Sequence, residues 1–109
     1  MKRLIFNTLI FAFAFSNVFG QQKIVNLPDL QGYVTMKYDF HIHTVFFDGN
    51  VWPTVRIDEA LRDGLDAIAI TDHLEYNPKK DFIPVDYNAA WKVSEEYARE
   101  RNLILVHGT

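Results

Sequence analysis

The sequence predicts a parallel α/β fold with the element order β-α-β-α-β. Three observations carry this. Ala67-Ile68-Ala69-Ile70 and Leu103-Ile104-Leu105-Val106 are apolar runs without alternation, the pattern of strands buried on both faces. The segment before each run places apolar residues at helical spacing. Strands that alternate with helices in this way pair in parallel.

The N-terminus is set apart from that fold. Lys2 and Arg3 precede a stretch from Leu4 to Phe15 that is apolar except for Asn7 and Thr8. Val18 and Gly20 then stand at the −3 and −1 positions of a cleavage site before Gln21. This is the layout of a secretory signal peptide over residues 1–20. Its apolar run falls short of the ~20 residues that span a bilayer, and there is no cysteine to acylate. The expectation is an exported protein, periplasmic or secreted, with no stable membrane anchor after cleavage.

Residues 21–37 contain Pro28 and Gly32 and read as an irregular lead-in, with a short strand near Tyr33–Met36. Tyr38–His43 alternates and is rich in aromatic and branched residues, so it reads as the first strand. Thr44–Pro53 holds Asp-Gly-Asn and then Pro, which is loop chemistry. Thr54 is the expected N-cap of a helix carrying Ile57, Ala60 and Leu61, with Gly64 at its C′ position. The second strand is Ala67–Ile70, followed by a polar loop over residues 71–86 with Pro78 and Pro84. Tyr87–Arg101 is the second helix, with Ala90, Val93 and Tyr97 on its apolar stripe. Leu103–Val106 is the third strand.

Composition narrows the function. The chain has 109 residues, 49% of them hydrophobic, and a formal net charge of −3. Without the leader, nine basic residues face 14 acidic ones, a net charge of −5. No run of five or more Lys/Arg occurs, so no nucleic-acid partner is expected. With no cysteine there is no disulfide, thiolate nucleophile or zinc finger, and any metal site must use His and carboxylate. Three strands and two helices cannot close a barrel or cover both faces of a sheet. The chain is therefore expected to be the N-terminal part of a larger protein, of open oligomeric state.

The four histidines all fall at the C-terminal ends of the three expected strands, the edge where parallel α/β folds build active sites. His41 and His43 lie at i and i+2, with Cα atoms ~6.5–7 Å apart on one face of a strand. Two such imidazoles can converge on one cation. Asp39, at i−2, is expected on the same face as an acceptor that orients a ring. The plainer alternative is an exposed strand with two incidental histidines. Asp48 sits on a loop that can fold back over the strand end, where a carboxylate beside imidazoles suits Zn, Mn or Fe; alone it would be an ordinary Asp-Gly turn. His73 is a candidate ligand from the neighbouring strand. Asp72 can hold a ring, accept a proton or cap the loop, and is the catalytic candidate. His107 is a pocket candidate, and Gly108 permits a close backbone approach.

"DFHIHT" with its following Asp-Gly, and then "ITDH", resemble the PHP (polymerase and histidinol phosphatase) domain. His41, His43, Thr44 and Asp48 match its first motif, and Thr71, Asp72 and His73 its second. Gly108-Thr109 match the first two positions of a third, whose glutamate would come next. The resemblance covers Asp39–Thr109 and implies a domain over residues 38–109 that is the first part of a distorted (β/α)7, TIM-like barrel. It implies two or three divalent metal ions at the strand C-termini, one bound by His41 and His43 and another by Asp48 and His73, and Thr44 beside them. It matches His107 to no ligand position. The implied reaction is hydrolysis of the phosphate ester of a small molecule by metal-activated water. An amidohydrolase-type enzyme, which also uses H-x-H at a first barrel strand, and an exported metal- or ligand-binding module without turnover are the alternatives.

Overall fold

The computed structural model describes residues 25–83 and 85–108. The leader expected over residues 1–20 lies outside them. The elements are β1 (Tyr38–Ile42), α1 (Pro53–Arg62), β2 (Ala67–Ile70), α2 (Ala89–Glu100) and β3 (Ile104–His107). The three strands form one parallel sheet in the order β1-β2-β3. The predicted α/β class and element order therefore hold. Among the described residues no helix is long and apolar enough to cross a membrane.

Three local expectations are corrected. The strand expected at Tyr33–Met36 does not form. That segment folds on itself instead: Gly32 turns at φ 84°, and Thr35 donates from its amide to Asp29 Oδ1 (2.7 Å) and from its hydroxyl to the Pro28 carbonyl (2.9 Å). Thr54 is not the N-cap of α1; Trp52 is, and Pro53 is the first helical residue. Proline suits that position because its fixed φ is helical and its missing N–H would have had no partner. The third strand is shifted one residue along, so His107 ends it rather than following it.

Both helices end on the same device. After α1, Leu65 N–H donates to the Ala60 carbonyl (2.9 Å) and Gly64 N–H to the Leu61 carbonyl (3.1 Å), with Gly64 at φ 74°. After α2, Leu103 N–H donates to Ala98 (3.1 Å) and Asn102 N–H to Arg99 (3.2 Å), with Asn102 at φ 56°. This paired bonding closes the orphan carbonyls of a helix end and needs a left-handed residue at its turn. Each device delivers a leucine against the core and then the next strand.

The core lies between the sheet and the helices. Ile42, Ile57, Ala60, Ile68, Ala98 and Leu103 are buried together, with Leu61, Leu65, Tyr97 and Leu105 packed around them. Ile57 and Ile68 are fully buried, each worth about 1.5–3 kcal/mol over an exposed side chain. Outside the core, Tyr97 clips the helices together by donating its hydroxyl to Asp58 on α1 (3.0 Å), with the Arg101 guanidinium 3.4 Å above its ring.

The opposite face of the sheet carries Ala67, Ala69, Ile104 and Val106, with Tyr38 and Phe40 stacked at 4.3 Å. Ile104 and Val106 are 52% and 40% exposed. The described residues leave the β1 and β3 sides of this face open, while Ala67 and Ala69 between them are buried.

β1 is not regular. Asp39 pairs with Ile68 and Ile42 with Ile70, so Phe40 and His41 together oppose the single Ala69. This is a β-bulge. Partners in a parallel pair share a face, so Asp39 and Ile42 both turn toward the helices. Asp39 lines one groove with His41 and His43, but its hydrogen bond is not to a ring. Its Oδ1 instead accepts the His41 N–H (2.9 Å), an amide outside the ladder register.

Candidate metal centre

The site forms where β1 and β2 end. Thr71 N–H donates to the Ile42 carbonyl (2.8 Å), so pairing continues one step past both strands. Beyond it the two chains are tied by side chains. Thr44 is fully buried, and Asp72 is 6% exposed. Asp72 Oδ1 accepts the Thr44 N–H at 2.5 Å, and Oδ2 accepts its hydroxyl at 2.6 Å. Bonds to a carboxylate are roughly twice as strong as neutral ones. They fix the residue that follows His43 to the residue that precedes His73.

The loop after Thr44 then folds back. Phe47 N–H donates to the Thr44 carbonyl (3.3 Å) and Val45 N–H to the Val51 carbonyl (2.9 Å). The Phe47 ring is buried and stacked on Tyr87 at 5.7 Å. Gly49 lies directly on the strand end: a Cβ there would sit 2.6 Å from both the His43 carbonyl carbon and the Thr44 nitrogen. Glycine is needed for contact, since any side chain would push the loop away.

This fold-back brings Asp48 to His43, with Nδ1 and Oδ2 2.9 Å apart. One ligand atom from each of His43, Asp48 and His73 can be chosen so that all lie within 4.8 Å of one another. Donors 2.0–2.2 Å from one ion are at most ~4.4 Å apart, so a small side-chain rotation closes the set. Two buried atoms in it have no hydrogen-bond partner, His43 Nε2 and Asp48 Oδ1. Buried polar atoms are rarely left so. An imidazole lone pair and a carboxylate oxygen, with no sulfur, match the donors preferred by Zn, Mn or Fe. The residues present fit a divalent cation.

Both rings are oriented in the same way. His43 Nδ1 meets Asp48 Oδ2, and His73 Nδ1 meets Glu75 Oε1 at 3.1 Å. A carboxylate on one ring nitrogen fixes the tautomer and leaves the other nitrogen to bind metal. Electrostatics keep Asp48 ready for this. Burial works to raise its carboxyl pKa, but hydrogen bonds from His43 and its own amide, with the charges of His43 and His73, hold it below the ordinary aspartate value.

The remaining candidates are spread around this centre. The His41 ring lies 4.7 Å from that of His43, which in turn lies 4.7 Å from that of His73. His41 is exposed and outside the three-residue set. It borders a groove of about 570 Å³ along the free edge of β1, shared with Asp39, Arg56 and Glu59. Asp72 has both oxygens committed to Thr44 and stands as a clamp between strand ends. His107 pairs with Ile70 and packs on Trp91 (4.7 Å), lining a cavity of about 20 Å³ with Asp72, away from the three-residue set. A Cβ on Gly108 would come within 2.9 Å of Thr71 Cγ2, which accounts for the close approach.

Two residues near the centre escape a motif search. Glu75 is two residues past His73, and that short spacing within a loop was a usable signal. Lys79 reaches the Asp48 loop across 30 residues of sequence, and nothing local announces it.

No family model matches the sequence. An uncharacterised protein of Methanocaldococcus jannaschii is 44% identical over 48 residues, 44% of this chain and 22% of that protein. Among solved structures, a two-domain protein from Bacteroides vulgatus, described as containing a predicted PHP-like metal-dependent phosphoesterase, is 48% identical with a TM-score of 0.76. The match covers 81% of this chain and 26% of that one. A protein from Bifidobacterium adolescentis, described by inference as a metal-dependent phosphoesterase, is 28% identical with a TM-score of 0.51, over 68% of this chain and 22% of that one. This chain thus spans about a quarter of the solved chains it matches. The two histidine motifs and the solved neighbours agree: over most of its length this chain is similar to part of a protein described as containing a predicted PHP-like metal-dependent phosphoesterase.

Proposed function

We propose that this chain is the opening part of an exported, metal-dependent phosphoesterase that hydrolyses the phosphate ester of a small molecule. In this proposal residues 1–20 are a cleaved leader, residues 21–37 a lead-in, and residues 38–109 the first strands of a distorted (β/α)7 barrel. The observation that carries it is the convergence of His43, Asp48 and His73, with His43 Nε2 and Asp48 Oδ1 buried and unpartnered.

His43 and His73 would hold a divalent ion through the ring nitrogens their carboxylate partners leave open, with Asp48 Oδ1 beside them. His41, one ring away, would serve a second ion. Such ions lower the pKa of a bound water toward neutrality and offset charge on a phosphate ester. Asp72 enters as the clamp that keeps His43 and His73 in register. Arg56, which donates from Nε to the His43 carbonyl (3.2 Å), steadies the same strand end from α1.

The test uses the complete protein, purified and analysed for metal, then assayed on an aryl phosphate ester, a carboxylic ester and an amide. Phosphate release that a chelator abolishes and Mn²⁺ or Zn²⁺ restores is the expected result. Amide cleavage without phosphate release would reassign it to amidohydrolase chemistry, and bound metal without any turnover would make it a binding module. The leader is tested by the mass of the protein recovered outside the cytoplasm, which should begin at Gln21.

A further inference from the structure

Lys79 stands outside every motif, yet it reaches the candidate centre. Its Nζ donates to the Phe47 carbonyl (3.2 Å) and to the Gly49 carbonyl. These are the carbonyls of the residues on either side of Asp48. Among the described residues Lys79 forms no salt bridge with a carboxylate; its ammonium is given to main chain alone. A surface lysine ordinarily keeps its ammonium in water. This one is half-buried.

Its own backbone is fixed as well. Lys79 N–H donates to Asn77 Oδ1 (3.0 Å), and its carbonyl accepts the N–H groups of Phe82 and Ile83, both at 2.9 Å. The lysine therefore extends from a tied turn in the loop that carries His73 into the loop that carries Asp48. Two loops supply the ligand set, and this side chain spans them. Phe47 anchors the Asp48 loop from below by burial, and Gly49 seats it on the strand end. Neither fixes its carbonyls.

We propose that Lys79 is a positioning residue for the metal centre: by holding the carbonyls on both sides of Asp48 from the His73 loop, it sets the Asp48 carboxylate against His43 and His73. This rests on the metal-centre reading above. Orienting groups of this kind are worth ~10–100-fold in metal affinity.

The experiment is a Mn²⁺ titration of the complete protein, followed by calorimetry, for wild type, Lys79→Met, Asp48→Asn and the double variant. Lys79→Met should weaken binding about 10-fold and should weaken it no further once Asp48 is Asn. Lys79→Arg, which retains donors for both carbonyls, should recover most of the loss. Backbone amide exchange of residues 48–51 without metal should quicken in Lys79→Met, while the sheet amides stay protected. Unchanged affinity in Lys79→Met, or losses that add in the double variant, would overturn the proposal. If wild type binds no metal, the metal-centre reading falls on its own, and unchanged exchange at residues 48–51 then overturns the role of Lys79 separately.

Discussion

Asp72 grips Thr44 with both carboxylate oxygens, one on the backbone amide at 2.5 Å and one on the hydroxyl at 2.6 Å. The pair is buried and 28 residues apart in sequence, so it welds the end of β1 to the end of β2. Thr44→Val keeps the shape and removes one donor. An unmet buried acceptor costs about 1–3 kcal/mol, and the melting temperature should fall accordingly. Metal affinity should fall with it, because His43 is the neighbouring residue. A Thr44→Val protein as stable as wild type would show that the clamp holds nothing.

Gly49 is the second mechanical point. Gly49→Ala places a methyl 2.6 Å from the backbone of His43 and Thr44, where no flexible atom can yield. Overpacking of this kind costs about 1–3 kcal/mol. The loop is expected to lift off the strand end, carrying Asp48 away from His43. Chemical denaturation would give the stability loss, and the imidazole NMR signals of His43 would report the parting.

The Asp48 carboxyl titrates below its ordinary value of 3.8, since its bonds to His43 and its own amide, with the nearby histidine charges, outweigh burial. A depressed folded-state pKa adds stability that is complete above the unfolded value and drains away as pH falls through the folded one. The stability difference between wild type and Asp48→Asn, without metal, should therefore shrink as pH falls below about 4. A difference that grows as pH falls below about 4 would contradict the pairing.

Ligands and their orienting partners should separate by magnitude. Glu75→Gln weakens the hold on His73 Nδ1 and should reduce metal affinity by ~10-fold or less, because Glu75 is solvent-exposed. His43→Ala removes a ligand and should exceed ~100-fold, with activity lost in step. Elemental analysis after dialysis distinguishes them, and full metal content in His43→Ala would remove His43 from the ligand set.

Much of this was legible in the sequence, for physical reasons that differ by element. β2 could be read to the residue because Ala67–Ile70 is buried on both faces and admits no polar side chain. The end of α1 was legible because Gly64 supplies a positive φ; the same turn after α2 rests on Asn102, a weaker signal. The start of α1 was obscured because Thr54 is a good cap in general, while Trp52 caps here without any side-chain bond. The strand read at Tyr33–Met36 failed because a strand needs a ladder partner; among the described residues that segment has none and bonds within itself. His43 and His73 stood out because histidine is scarce in this chain and both fall at strand ends, and Asp48 because it follows His43 within five residues. The use of Asp72 by Thr44, the reach of Lys79 and the bulge in β1 depend on contacts between distant segments, which one sequence does not display.

The bulge has a bearing on which residues are surplus to the architecture. A regular strand allots one side chain to each face for every two residues, and the ladder counts nothing else. Where Phe40 and His41 share the place opposite Ala69, the ladder closes with one residue more than it requires. Deleting one of them would leave the pairing of Asp39 and of Ile42 intact. His41, which binds no neighbour in the ladder register, thus occupies a position that folding leaves unclaimed. Such a vacancy in the structural demands on a chain is where a sequence is at liberty to change its chemistry without renegotiating its shape.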